Sequence, residues 1–110
     1  MRFARKFGVT DRALWNCVQA LPDANLGGGV YKFRIARAGE GSSGGARSIV
    51  AMKHGERAVM MFGFEKKDLQ NVSVKELSAF KKLAKIYLDR SEDEMDLLVA
   101  REELVEIRRS

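Results

Sequence analysis

Cysteine, histidine and proline each occur once in this chain of 110 residues, and each scarcity excludes something. A lone Cys17 has no partner for an internal disulfide, so a reduced, cytoplasmic setting is expected. It stands among Ala13, Leu14, Val18 and Leu21 at helical spacing, the place of a small core residue. One histidine and one cysteine far apart do not make a metal site, and no cofactor is expected. His54 has no evident carboxylate to orient it, which leaves Ser/His/Asp and Cys/His chemistry without support. No apolar run approaches the length of a bilayer span, and Met1 to Lys6 has no signal-peptide core.

The rest of the composition, 45% hydrophobic and 32% charged, is that of a soluble globular protein. A chain of this length holds one core, so residues 1–110 are read as a single domain. The net charge of +5 is unevenly spread: residues 1–67 hold 12 Lys/Arg against 5 Asp/Glu (+7), and residues 68–110 hold 8 against 10 (−2). Such an excess suits a polyanionic partner, with nucleic acid the leading candidate; a basic surface kept for solubility accounts for it equally well.

The centre of the chain reads as two adjacent strands. Ala46 to Lys53 and Arg57 to Phe64 are rich in Val, Ile, Met and Phe, and His54-Gly55-Glu56 makes a turn between them. Nearly continuous apolar character predicts central strands covered on both faces. Ahead of them, Val30 to Ile35 alternates: Tyr31, Phe33 and Ile35 point one way, Lys32 and Arg34 the other. Gly27-Gly28-Gly29 precedes a strand-like segment and lacks the following Lys-Ser/Thr, which rules out a phosphate-binding loop of the Walker type. Asp23 to Gly29 and Arg37 to Ala46 are read as loops.

Helical patterns flank these strands. Met1 to Phe7 reads as the tail of a helix, with Phe3 and Phe7 four apart, and Thr10 caps a second helix over Asp11 to Leu21 that Pro22 ends. Trp15 lies off the apolar stripe of that second helix and is assigned to packing. Later, Ser73 and Glu76 form a capping box, with Val72 and Leu77 as its hydrophobic staple, and Ser91 with Glu94 repeats the box. Lys75, Lys81, Lys82 and Lys85 form a solvated face. Leu104 to Ile107 fits a last short strand or a fraying tail. The expected fold is α+β: an N-terminal helical hairpin beside a small antiparallel sheet of three to four strands, followed by C-terminal helices.

The chemistry-bearing set is cationic: Lys32, Arg34, Arg47, Lys66 and Lys67, with Arg37 and Lys53 nearby. Cations suit a phosphodiester. Cutting RNA with its own 2′-hydroxyl builds negative charge on five-coordinate phosphorus, which Arg or Lys stabilises. A lysine set among other cations can also move a proton. The same residues can equally do no more than grip phosphates.

At these residues the chain resembles a known family. Gly27-Gly28-Gly29-Val30-Tyr31-Lys32, Ser43-Gly44-Gly45-Ala46-Arg47, Phe62-Gly63-Phe64-Glu65-Lys66-Lys67-Asp68 and the Asn71-to-Leu77 helix start look like the HigB-type branch of the RelE/ParE toxin superfamily. The resemblance covers roughly Phe3 to Ile107 and implies a RelE-like fold. It also implies the toxin of a type II toxin–antitoxin pair, a metal-independent endoribonuclease that cuts messenger RNA at the ribosome. By the same resemblance, Lys32 and Arg34 match the basic strand positions for proton transfer and phosphate contact, and Arg47 the arginine on the scissile phosphate. Lys67 matches a fourth catalytic position usually held by arginine; lysine there loses the bidentate fork. Arg37, Lys53, His54 and Lys66 are expected to bind flanking RNA. Phe64 is a stand-in for the tyrosine with which RelE stacks a base. The chain is read as beginning inside the family's first helix. A cognate antitoxin of helix-turn-helix type is the implied partner. Two alternatives stay open: a toxin of the ParE sort that binds DNA gyrase, and an inactive relative that only binds partners.

Overall fold

The computed structural model describes residues 2–5, 15, 18, 19, 21–35, 46–53, 56–65 and 72–107. Its frame is a six-stranded sheet built from β1 (Arg2–Arg5), β2 (Ala24–Gly27), β3 (Val30–Ile35), β4 (Ala46–Lys53), β5 (Arg57–Glu65) and β6 (Val105–Ile107), in the order β2-β3-β4-β5-β1-β6. Strands β2 to β5 form an antiparallel meander. On its far side β1 runs parallel to β5 and antiparallel to β6.

Two helices, α1 (Val74–Asp89) and α2 (Glu92–Ala100), follow the meander. The expected N-terminal helical hairpin is therefore corrected: Arg2–Arg5 is a strand, and the two helices described end to end come after β5. Two aromatics four apart are a short helical signal, and pairing with β5 overrides it. Of the second expected helix, Trp15, Val18 and Gln19 are described and helical; Cys17 lies outside the described residues.

The sheet exceeds the three to four strands expected by two short ones. One is β1; the other is β2, in a stretch expected to be loop. Gly27, Gly28 and Gly29 have φ of 87°, 60° and 81°, the left-handed region that glycine tolerates, and they turn β2 back onto β3. The same turn lies close under α1: a Cβ on Gly29 would stand 2.9 Å from Leu88 Cδ1.

Strand β4 is buried along its length except at Lys53, because β3 and β5 pair with it on both sides and apolar layers cover both faces. Phe33, Ile35, Val50, Met52 and Met60 form one layer, with Val18 in it and Trp15 and Tyr31 packed against it. Val30, Ile49, Ala51, Val59 and Met61 form the other, under Ala84 and Tyr87 of α1 and Met95 of α2. A bulge in β5 opposite Ile49 and Val50 interrupts the alternation and leaves Met61 and Phe62 on the helix-covered side.

Both capping boxes form as expected. The Ser73 hydroxyl accepts from the Glu76 N–H at 3.1 Å, and the Ser73 N–H donates to the Glu76 carboxylate at 3.2 Å. Ser91 and Glu94 repeat this at 3.1 and 3.1 Å. Helix α2 ends with the Glu103 N–H on the Leu98 carbonyl and the Glu102 N–H on that of Val99, with Glu102 at φ 60° where glycine is the usual residue. Leu104 then returns to the core, and Val105–Ile107 is a strand rather than a frayed tail. Among the described residues no helix is long and apolar enough to cross a membrane.

Arg57 ties the two helices to the sheet. Its guanidinium, 6% exposed at the start of β5, donates to the carbonyls of Tyr87 and Arg90, each at 2.7 Å, and to the Glu92 carboxylate at 2.7 Å. One cation thus satisfies the carbonyl end of α1 and meets the first turn of α2.

Replacing it by a side chain of similar length, Arg57→Met, strands buried carbonyls and should cost about 3 kcal/mol of unfolding free energy in urea titration. A second expectation concerns acid. Glu76 is held below its ordinary 4.5 by the Ser73 hydroxyl and then the Ser73 N–H, and Glu94 by the Ser91 N–H, then Arg90 and the Ser91 hydroxyl. Carboxylates lowered on folding stabilise fully above the unfolded value, and the contribution is lost as pH falls through the lowered one. The double variant Glu76→Gln/Glu94→Gln should therefore show a flatter stability–pH curve below about 4.5, read by urea titration across pH.

Candidate nucleic-acid site

Period two along a strand puts Lys32 and Arg34 on one side of β3, the side opposite the buried Phe33 and Ile35. The β3–β4 register then sets Arg34 directly across from Arg47, and the β4–β5 register sets Arg47 across from Phe64. Three cations expected from sequence to share a site, Lys32, Arg34 and Arg47, thus lie on one face of two neighbouring strands.

Like charges directly opposed across a ladder repel, and a carboxylate bridges this pair. Asp23, on the bend ahead of β2, places Oδ2 3.1 Å from Arg47 Nε and Oδ1 3.8 Å from Arg34 Nη2. Its own N–H donates to the Lys32 carbonyl at 2.8 Å, which anchors the residue beside the cluster. Arg47 Nη1 also donates to the Ala46 carbonyl at 3.2 Å.

Access is graded across the group. Arg34 keeps 42% of its side chain exposed and Asp23 27%, while Arg47 keeps 6%. Arg34 is the open edge of the site, and Arg47 lies beneath it. Beside Arg47 the rings of Phe64 and Phe62 stack with centroids 5.9 Å apart, and Phe62 meets Phe80 of α1 at 5.8 Å. The aromatic row braces the β5 side of the cluster against the helix. Phe64 is half-buried in that row.

Of the remaining expected residues, Lys53 alone is described, and it is not gathered here. Lys53 stands at the other end of β4, six positions and roughly 20 Å from Arg47, where it is exposed and paired with Glu56 at 3.4 Å. Arg37, His54, Lys66 and Lys67 lie outside the described residues. Among the described residues, no three His, Cys, Asp or Glu side chains stand close enough to hold a metal ion. The residue that sequence reasoning missed is Asp23. Its signal was a hairpin one: apolar Leu26 and Val30 flank the glycine turn, and pairing back from it brings Asp23 level with the Lys32–Arg34 stretch.

Chemically, such a set can receive an oxyanion. Two guanidinium groups already share one carboxylate, and an ammonium stands two residues along the same strand face. A family model described as the RelE toxin of the RelE/RelB toxin–antitoxin system matches residues 1–107. No curated protein and no solved structure matches the chain.

Proposed function

The chain belongs to the RelE toxin family, the toxin side of a toxin–antitoxin system, and from that premise we propose that it is an endoribonuclease that cuts messenger RNA at the ribosome. An antitoxin is its partner; within the family we place it in the HigB-type branch, with a helix-turn-helix antitoxin. The supporting observation is that Lys32, Arg34 and Arg47 share one face, where the two guanidinium groups already hold the Asp23 carboxylate.

In this reading the 2′-hydroxyl of the RNA attacks the adjacent phosphorus. The P–O bond to the 5′-oxygen of the next nucleotide breaks, leaving a 2′,3′-cyclic phosphate and a 5′-hydroxyl. Arg34, at the open edge, meets the phosphate first. Arg47 stabilises the charge that builds on the non-bridging oxygens, where a cation under low solvent exposure acts most strongly. Lys32 moves a proton at the 2′-hydroxyl or the departing 5′-oxygen. Lys67 supplies a further single-point cation, and Arg37, Lys66 and His54 hold flanking RNA. Lys53 has no part in this assignment because it stands at the far end of β4.

One observation favours a second reading, a toxin that acts by binding DNA gyrase: Arg47 is buried against Asp23, and a protein inhibitor has no need of an open arginine. Induction in bacteria separates the two. Wild type should arrest growth with loss of intact messages, and Arg34→Ala, a half-exposed position that tolerates truncation, should relieve the arrest at equal protein level. Arrest with messages intact and supercoiling blocked would replace the nuclease by the gyrase binder.

A further inference from the structure

Resting on the phosphodiester reading of the site, we infer that Asp23 is its resident anion: a carboxylate that fills the phosphate position in the free toxin and sets how tightly RNA is held. Arg47, with 6% of its side chain exposed, needs a counter-charge, because a buried cation without one is costly. Asp23 supplies it in the manner of a phosphodiester, one oxygen to each guanidinium, at 3.1 and 3.8 Å. A phosphate and a carboxylate cannot share that space, since both are anions and both accept from the same donors.

Binding is therefore an exchange. The backbone of Asp23 is pinned by its hydrogen bond to the Lys32 carbonyl, so the carboxylate leaves by rotating its side chain and not by moving the strand. With 27% of that side chain exposed, it has a way out to solvent. Removing the charge removes the competitor. The ordinary role of an acid beside two arginines, that of a purely structural clamp, makes the opposite forecast: loss of the clamp loosens the arginines and weakens RNA.

The test uses the full chain and a short single-stranded RNA that is 2′-O-methylated throughout, so that no cleavage intrudes. Affinity is measured for wild type, Asp23→Asn, Asp23→Ser and Arg34→Ala over a range of salt concentrations. Both Asp23 variants should bind about tenfold more tightly, since a lost carboxylate–guanidinium contact is of the size of one charge-assisted hydrogen bond. The slope of log affinity against log salt should stay at the wild-type value, because the same phosphates are engaged once the carboxylate has left. Asp23→Glu should restore the wild-type value. Should Asp23→Asn fail to fold, Asp23→Ser is read alone. Unchanged or weaker binding in the Asp23 variants, with binding lost in Arg34→Ala, would overturn the exchange and leave the phosphate site standing. Unchanged binding in Arg34→Ala would overturn both.

Discussion

Two guanidinium groups face each other across neighbouring strands, and the fold must hold a carboxylate at them. That constraint organises the cationic face. Arg34 and Arg47 are opposed because β3 and β4 pair in one register, and a slip of a single residue would send one of them through the sheet. What prevents the slip is apolar. Phe33, Ile35, Val50 and Met52 fill one layer while Val30, Ile49 and Ala51 fill the other, so a shifted strand would expose half of its side chains to the wrong environment. The site's geometry is thus a by-product of two packed faces, and the residues that place the cations are not the cations themselves.

Arg47 and Arg57 show how one residue type serves two ends of the sheet. Both are nearly buried, on the adjacent strands β4 and β5. Arg57 spends its donors on the carbonyl end of α1 and on Glu92, where helix termini offer fixed partial charges, and it holds the helical layer in place. Arg47 meets the side-chain carboxylate of Asp23, which is 27% exposed. The first arrangement rests on backbone carbonyls and a helix start, the second on one partly open acid, the group that gives way under the proposed exchange.

Much of this was legible in the sequence. The bounds of β3 and β4, and the start of β5, follow from apolar runs, and the capped starts of α1 and α2 follow from Ser-x-x-Glu, because both signals are local. The strand β1 was not legible, and β2 only through the apolar residues that flank its glycine turn. Each is four residues long and owes its conformation to a partner strand rather than to its own pattern. In the site, period two put Lys32 and Arg34 on one face, whereas the placing of Arg47 across from Arg34 depends on a register between strands that neither strand's own pattern gives. The burial of Arg47 and the arrival of Asp23 depend on a third strand and its approach, which no spacing within β3 or β4 encodes. Lys53 stands at the other end of β4 from Arg47, a separation set by strand length rather than by closeness in sequence to the hairpin.

The central claim is that this cationic face breaks a phosphodiester by way of the neighbouring 2′-hydroxyl. Its most direct test is the chemistry of the ends left on a ribosome-bound message exposed to the purified protein. The account predicts fragments with a 5′-hydroxyl on one side of the cut and a 2′,3′-cyclic phosphate on the other, absent when Arg34 is alanine. Fragments with 5′-phosphate ends, or a message left whole by a folded protein, would contradict it.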